Sequence, residues 1–273
     1  MPKRTPQDYV EGRGRHGETS PLGASLFVGL RAIDPFLQRA ILLSSPLATL
    51  APKLGLGAPL PPPSGGLIVQ SVGLSPFQTI VWSMSVGSAL KQIYWLLAIS
   101  KEPMYPGGAV GIALFNTINN AINTLIFTAA GSNPTYLSPT SVYLGAALYM
   151  AGILTETIAE VQRRNFKDKP ENQGKAYSGG FWSLARHISK WYSPPVVIVL
   201  IECIDYFGYT VWRSAFALAT GGPIWAALVA SFFAWDFSTR AIPVLDSYCE
   251  KRYGEQWRKI KQNVPYTLVP GIF

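Results

Sequence analysis

Residues 109–130 contain no charged side chain, and three further stretches come close to that condition. The stretch 77–99 carries one charge, Lys91. The stretch 139–158 runs apolar as far as Glu156, and 207–237 is broken at Gly221-Gly222-Pro223. Crossing the hydrocarbon core of a bilayer takes about 20 apolar residues. Backbone inside it must be helix or closed barrel, because no water is present to satisfy free N–H and C=O groups. None of the four stretches alternates polar with apolar residues, so they predict helices. The expected fold is all-α, a multi-pass integral membrane protein. A fifth stretch, 26–45, contains Arg31, Asp34, Pro35 and Arg39. It either lies flat at the interface or crosses with difficulty.

Composition agrees. Charged residues make up 14% of the chain and hydrophobic ones 48%. Soluble domains carry about 25% charged residues, so a soluble enzyme is disfavoured, and so is a disordered chain. Eight Trp and thirteen Tyr suit interfacial aromatic belts. Two Cys and two His argue against a disulfide scaffold and a His-rich metal centre, and no metal is expected. The net charge of +8 lies in short runs beside apolar segments. It therefore points to membrane topology and not to nucleic acid.

Residues 1–25 carry Lys3, Arg4, Arg13 and Arg15 with no apolar run of signal-peptide type, and read as a solvated cytosolic tail. Residues 46–66, with Pro46, Pro52, Pro59, Pro61, Pro62 and Pro63, have the composition of a linker. The expected organisation is 1–66 as tail, first helix and linker, then 67–273 as a membrane-embedded domain.

Orientation follows Lys and Arg. Arg163, Arg164, Lys167, Lys169, Lys175 and Arg186 follow position 160, and Lys251, Arg252, Arg258, Lys259 and Lys261 lie in the tail; residues 131–138 have none. Segments 161–190 and 238–273 are therefore expected in the cytosol and 131–138 on the opposite side. On that reading 207–237 enters and returns as a hairpin turning at 221–223; the alternative is one tilted span and an inverted tail. Each half of the hairpin is then about 13 residues, roughly 20 Å of helix.

Polar residues inside the spans are of interest because lipid offers them no partners. Asn116, Asn119, Asn120 and Asn123 share a broad helical face, which serves either helix-to-helix hydrogen bonding or the wall of a substrate cavity. Lys91 either acts within the span or snorkels to its end. Glu156 and Glu160, one turn apart, either pair with Arg163 and Arg164 or reach into a cofactor site.

The polar, basic and aromatic residues gather in the C-terminal third. One group is 179–187, which includes Trp182, Arg186 and His187. The other is 246–257, with Asp246, Cys249, Arg252, Tyr253 and Trp257, closing with Val264-Pro265-Tyr266 and Pro270. Guanidinium groups suit phosphates, rings suit a flat heterocycle, and Asp246 suits a ribose or amide. Such a set can hold a dinucleotide, or equally form a basic face for lipid headgroups. The Gly-rich dinucleotide, nucleophile-elbow, zincin and Cys-x-x-Cys motifs are absent from the sequence.

The tail Cys249-x-x-Arg252-Tyr253-Gly254-x-x-Trp257, followed by Val264-Pro265-Tyr266 and Pro270, resembles the C-terminus of the membrane sterol reductases of the delta-14 and 7-dehydrocholesterol type. Gln162, Phe166, Lys167, Gly174 and Lys175, with Gly180-x-Trp182 and Arg186-His187, resemble the steroid 5α-reductase-like (DUF1295) proteins. The wider group includes the isoprenylcysteine methyltransferases. The resemblance covers roughly 140–273. It implies an NADPH pocket on the cytosolic side, with cofactor positions carried onto Trp182, Arg186, His187, Tyr206, Asp246, Cys249, Arg252 and Tyr253. The implied activity is reduction of a carbon–carbon double bond in a sterol-like or other lipophilic substrate, in the endoplasmic reticulum membrane. Tyr94, Lys91 and Glu156 are the candidates for the proton donor. The alternatives are an S-adenosylmethionine-dependent methyltransferase of the isoprenylcysteine type and a non-catalytic membrane protein.

Two departures from the family pattern stand out. A family Tyr after the tail Trp is Ile260 here. The family's Arg-His-Pro-Asn-Tyr-x-Gly begins at Arg186-His187-Ile188 but resumes only at Tyr206-Phe207-Gly208. The codons for Ser189-Lys190 can contain a splice donor, those for Ile204-Asp205 an acceptor, and the joined codon then encodes Asn. Residues 190–204, which interrupt the cofactor motif, are therefore expected to be a retained intron, the alternative being a genuine insertion.

Overall fold

The computed structural model describes residues 20–50, 52–55, 72–100, 102–130, 137–172, 174–177, 179–180 and 204–263. Trp182, Arg186, His187, residues 190–203 of the insert and the 264–270 end of the tail motif lie outside the described residues. The elements are helices joined by turns, with no strand among the described residues. They divide into two compact units, 1–146 with 216–225, and 147–215 with 226–273.

In the first unit, α1 (Pro21–Ser44) is followed by the short α2 (Pro46–Leu50), α3 (Pro76–Tyr94) and α4 (Pro106–Ala130). Helix α3 starts where its sequence says it should. Ser75 Oγ accepts from the Gln78 backbone N–H, Gln78 Oε1 accepts from the Ser75 N–H, and Pro76 occupies the first turn. It ends in a π-helical turn, Trp95–Ile99. Helix α1 packs on α3 and α4. Phe27, Leu96, Met104, Ala109 and Ala113 form a core there.

Polar side chains are buried beside that core. Arg31 Nη1 lies 3.2 Å from Asp34 Oδ2 and donates to Thr117 Oγ1 at 3.1 Å. Asp34 also accepts from Gln38 Nε2 (2.8 Å) and Asn120 Nδ2 (2.7 Å), and Asn120 reaches Ser88 Oγ at 3.0 Å. Gln92 donates to Asn116 Oδ1 at 2.6 Å, and Trp225 Nε1 donates to Asn123 Oδ1 at 2.7 Å. Three of the four α4 asparagines thus make helix-to-helix bonds. Asn119 instead turns its amide back to the Phe115 carbonyl (2.9 Å).

Helices α5 (Pro139–Asp168) and α6 (Ile204–Asp236) contribute to both units. Helix α5 continues well past the apolar run that ends at Glu156. Its last turns are good helix formers, and Arg164 Nε meets Asp168 Oδ2 at 2.6 Å.

Helix α6 is broken at Gly222, whose φ of 78° and ψ of −172° lie in a region essentially confined to glycine. Pro223 then opens the second arm. Tyr209 and Phe233 would be about 36 Å apart along an unbroken helix, yet their ring centroids are 5.3 Å apart. The chain therefore reverses, as the Gly-Gly-Pro break predicts. The arms are longer than the expected halves, because the second runs through a π-helical turn (Phe237–Ala241) into α7 (Ile242–Tyr253). Helix α8 (Glu255–Asn263) follows the turn at Gly254.

Among the described residues, three helical segments are long and apolar enough to cross a membrane: Pro106–Ala129, Pro139–Asp168 and Tyr206–Tyr253, the last counted through the hairpin. The protein is all-α and multi-pass. The expected span 77–99 does form a helix but is not among the three. Its buried face is lined by Ser85, Ser88, Lys91 and Gln92, which lowers its apolar content.

Candidate functional site

Four of the described cofactor candidates, Asp246, Cys249, Arg252 and Tyr253, gather on α7 beyond the hairpin, within the second unit. On α7, Asp246, Cys249 and Tyr253 recur at i, i+3 and i+7 and so share one face. Tyr248 and Arg252, four residues apart, share the next. Arg252 Nη1 donates to Tyr248 Oη at 2.8 Å. Trp257 of α8 folds back across Gly254, and its Nε1 donates to Asp246 Oδ1 at 2.6 Å. Cys249 is buried, and its sulfur lies in the field of Asp246 and of the cations Arg163, Lys167 and Arg252.

The end of α5 supplies the facing cation. Lys167 Nζ donates to Tyr253 Oη at 2.9 Å and to the Lys175 carbonyl, and stands 4.7 Å from the Tyr253 ring centroid. Phe166 and Tyr177 pack ring to ring at 4.9 Å, and burial raises the Tyr177 hydroxyl pKa above its ordinary value. The Ala176 N–H donates to Gln256 Oε1 at 3.3 Å, which ties this segment to α8. The continuation of α5 beyond its apolar run is what brings Lys167 here.

This donor set suits an anionic, planar ligand. Lys167, Arg252 and Arg163 provide positive charge, and Tyr248 and Tyr253 provide ring faces. A dinucleotide bearing phosphates fits that chemistry.

Tyr206 lies deeper in the hairpin. Its ring stacks on Phe237 at 4.7 Å, within a cluster that includes Tyr209, Phe233 and Ile242. Glu156 is 5% exposed, and its Oε2 accepts from Trp212 Nε1 at 2.6 Å. Lys91 and Tyr94 belong to the first unit. Lys91 is buried and Tyr94 is 46% exposed.

Two residues have no site role in the sequence pattern alone. Lys167 belongs there to the basic run after position 160 and to the family resemblance, and its spacing along α5 carries it to the site. Arg213 was hidden within the apolar run 207–237. It is 1% exposed, lies 4.1 Å from the Trp212 ring centroid and donates from Nε to Tyr209 Oη at 3.1 Å. A single Arg in such a run is the signal that would have found it.

The family described as "Protein of unknown function (DUF1295)" matches residues 113–264. The chain is similar to the probable O-methyltransferase ustE of Ustilaginoidea virens, with 35% identity over 257 residues, 90% of this chain and 84% of that protein. It is also similar to the delta(14)-sterol reductase of Neurospora crassa, with 25% identity over 176 residues, 50% of this chain and 36% of that protein. No solved structure matches.

Proposed function

The chain belongs to the DUF1295 family, and on that footing we propose that it is a membrane enzyme that uses NADPH to reduce a carbon–carbon double bond in a sterol-like or other lipophilic substrate. The observation that carries this reading is the cation cluster at Tyr253, with Lys167 Nζ 4.7 Å and Arg252 Cζ 5.9 Å from its ring centroid. NADPH brings a pyrophosphate and a 2′-phosphate, which such a cluster attracts. S-adenosylmethionine is net cationic, and the same cluster repels it. When bound, the dinucleotide supplies a hydride. The chain's own part is to grip the phosphates with Lys167 and Arg252, to offer Tyr248 and Tyr253 as ring faces, and to hold Asp246 in place through Trp257. Of the proton-donor candidates, Glu156 is the one that lies in the same unit as the cluster, and the proton is assigned to it. The loops flanking the cluster are assigned to the cytosol and the membrane to the endoplasmic reticulum.

Methyl transfer is the second reading. The 35% identity to a probable O-methyltransferase over 90% of the chain favours it. Titration of the purified full chain with NADPH and with S-adenosylmethionine separates the two. The proposal expects NADPH to bind and S-adenosylmethionine not to; the reverse result sinks it.

Arg252→Ala should weaken NADPH binding by about 1.5–3 kcal/mol, roughly ten- to a hundredfold, with little loss of folding. Unchanged affinity would remove Arg252 from the site.

We further propose that 190–204 interrupts the cofactor motif. Deleting 190–204 and joining 189 to 205 as a single Asn should tighten NADPH binding at least tenfold, about 1.4 kcal/mol. Equal binding by the two forms would make the insert a tolerated native loop.

A further inference from the structure

Helix α1 contains Arg31, Asp34 and Arg39, enough charge to keep its overall composition from marking it as a membrane span. The placement of those charges tells a different story. Arg31 and Asp34 are both fully buried, and with Gln38 they lie on the face that packs against α3 and α4. The opposite face carries Leu22, Ile33, Phe36, Leu37 and Leu43, all exposed, with Ile33 at 62% and Phe36 at 73%. No charged residue of α1 is on that exposed face; Arg39 is half-buried and donates to the Val72 carbonyl at 2.7 Å.

This is the reverse of a helix bathed by water, which turns its polar face outward. It is equally unlike a helix lying at a membrane surface, which needs a charged face toward water once its apolar face is in lipid. In α1 the charged face is spent on the protein, so no face remains for water. Charges in membrane spans characteristically face the bundle interior and pair there. Asp34 does so through Arg31, Gln38 and Asn120. Twenty-four residues give about 36 Å of helix, against about 30 Å of hydrocarbon.

We infer that α1 crosses the bilayer, its outward apolar face against lipid acyl chains, with its N-terminal end in the cytosol and the residues after Ser44 on the other side. Lys and Arg are distributed accordingly. Lys3, Arg4, Arg13 and Arg15 precede the helix, whereas 45–75 contains Lys53 alone. The Pro-rich linker is thereby placed outside the cytosol. The assignment stands independently of which cofactor the C-terminal cluster takes.

The test uses the full chain made in sealed microsomes. A glycosylation acceptor, Asn-Ser-Thr, replaces residues 60–62 in one variant and 5–7 in another. The expected result is a glycan at the first position and none at the second. To make the outcome independent of transferase efficiency, an epitope is inserted after residue 60. It should be hidden from antibody until the membrane is permeabilised. An epitope reached in sealed microsomes, or a glycan near residue 5, overturns the inference.

Discussion

Asp34→Ala should destabilise the protein by about 3–5 kcal/mol, the range for breaking a buried ion pair from one side. Both members of the Arg31–Asp34 pair are fully buried, so solvent offers little screening. The substitution also removes the acceptor for Gln38 and Asn120. Thermal unfolding in detergent, read as the loss of monodisperse protein, measures it. The double variant Arg31→Met with Asp34→Leu should lose much less, because an apolar pair needs no counter-charge. A double variant as unstable as Asp34→Ala would mean that shape, not charge, sets the effect.

Gly208→Val should lower stability by about 1–3 kcal/mol, toward the upper end. A Cβ at Gly208 would stand 2.7 Å from the Glu156 backbone nitrogen and 2.9 Å from its Cα, and one at Gly152 would stand 2.6 Å from the Trp212 nitrogen. The two glycines let α5 and the first arm of α6 approach backbone to backbone. A bulkier residue must part the helices and stretch the adjacent Trp212–Glu156 bond. Gly111→Ala is the control: a Cβ there meets nothing within 4 Å, so it should be neutral or slightly stabilising. Native-like unfolding of Gly208→Val would show that the helices can separate at no cost.

What the sequence revealed depended on the kind of signal. The reversal of α6 was readable, because basic flanks on both sides favour a run that returns and Gly-Gly-Pro marks where it turns. The grouping of Asp246, Cys249 and Tyr253 was readable as one polar and aromatic stretch, but the single helix face that they share came with α7. The length of α5 was not. Apolar periodicity stops at Glu156, while helix propensity and the Arg164–Asp168 pair extend the helix to Asp168. Periodicity reports what a helix buries, not where it ends. The α4 asparagines looked alike in sequence, but partners on other helices separate Asn116, Asn120 and Asn123 from Asn119. Charge in 26–45 weighed against a span only while its direction was unknown. Trp182, Arg186 and His187 lie outside the described residues, so their part in the site rests on the resemblance alone.

The polar face of α1 also has a timing. Thr117 and Asn120, which satisfy Arg31 and Asp34 from α4, each lie 86 residues later in the chain. At cellular rates of about 5–20 residues per second, these partners emerge roughly 4–17 s after α1 does. Over that interval the nascent helix carries an ion pair whose α4 partners do not yet exist, and lipid is a poor place to wait. Newly made α1 must therefore be shielded by the insertion machinery, or held at the membrane surface, until α4 arrives. Substitutions in this network should accordingly reduce the amount of protein that reaches the membrane, before they alter anything the mature protein does.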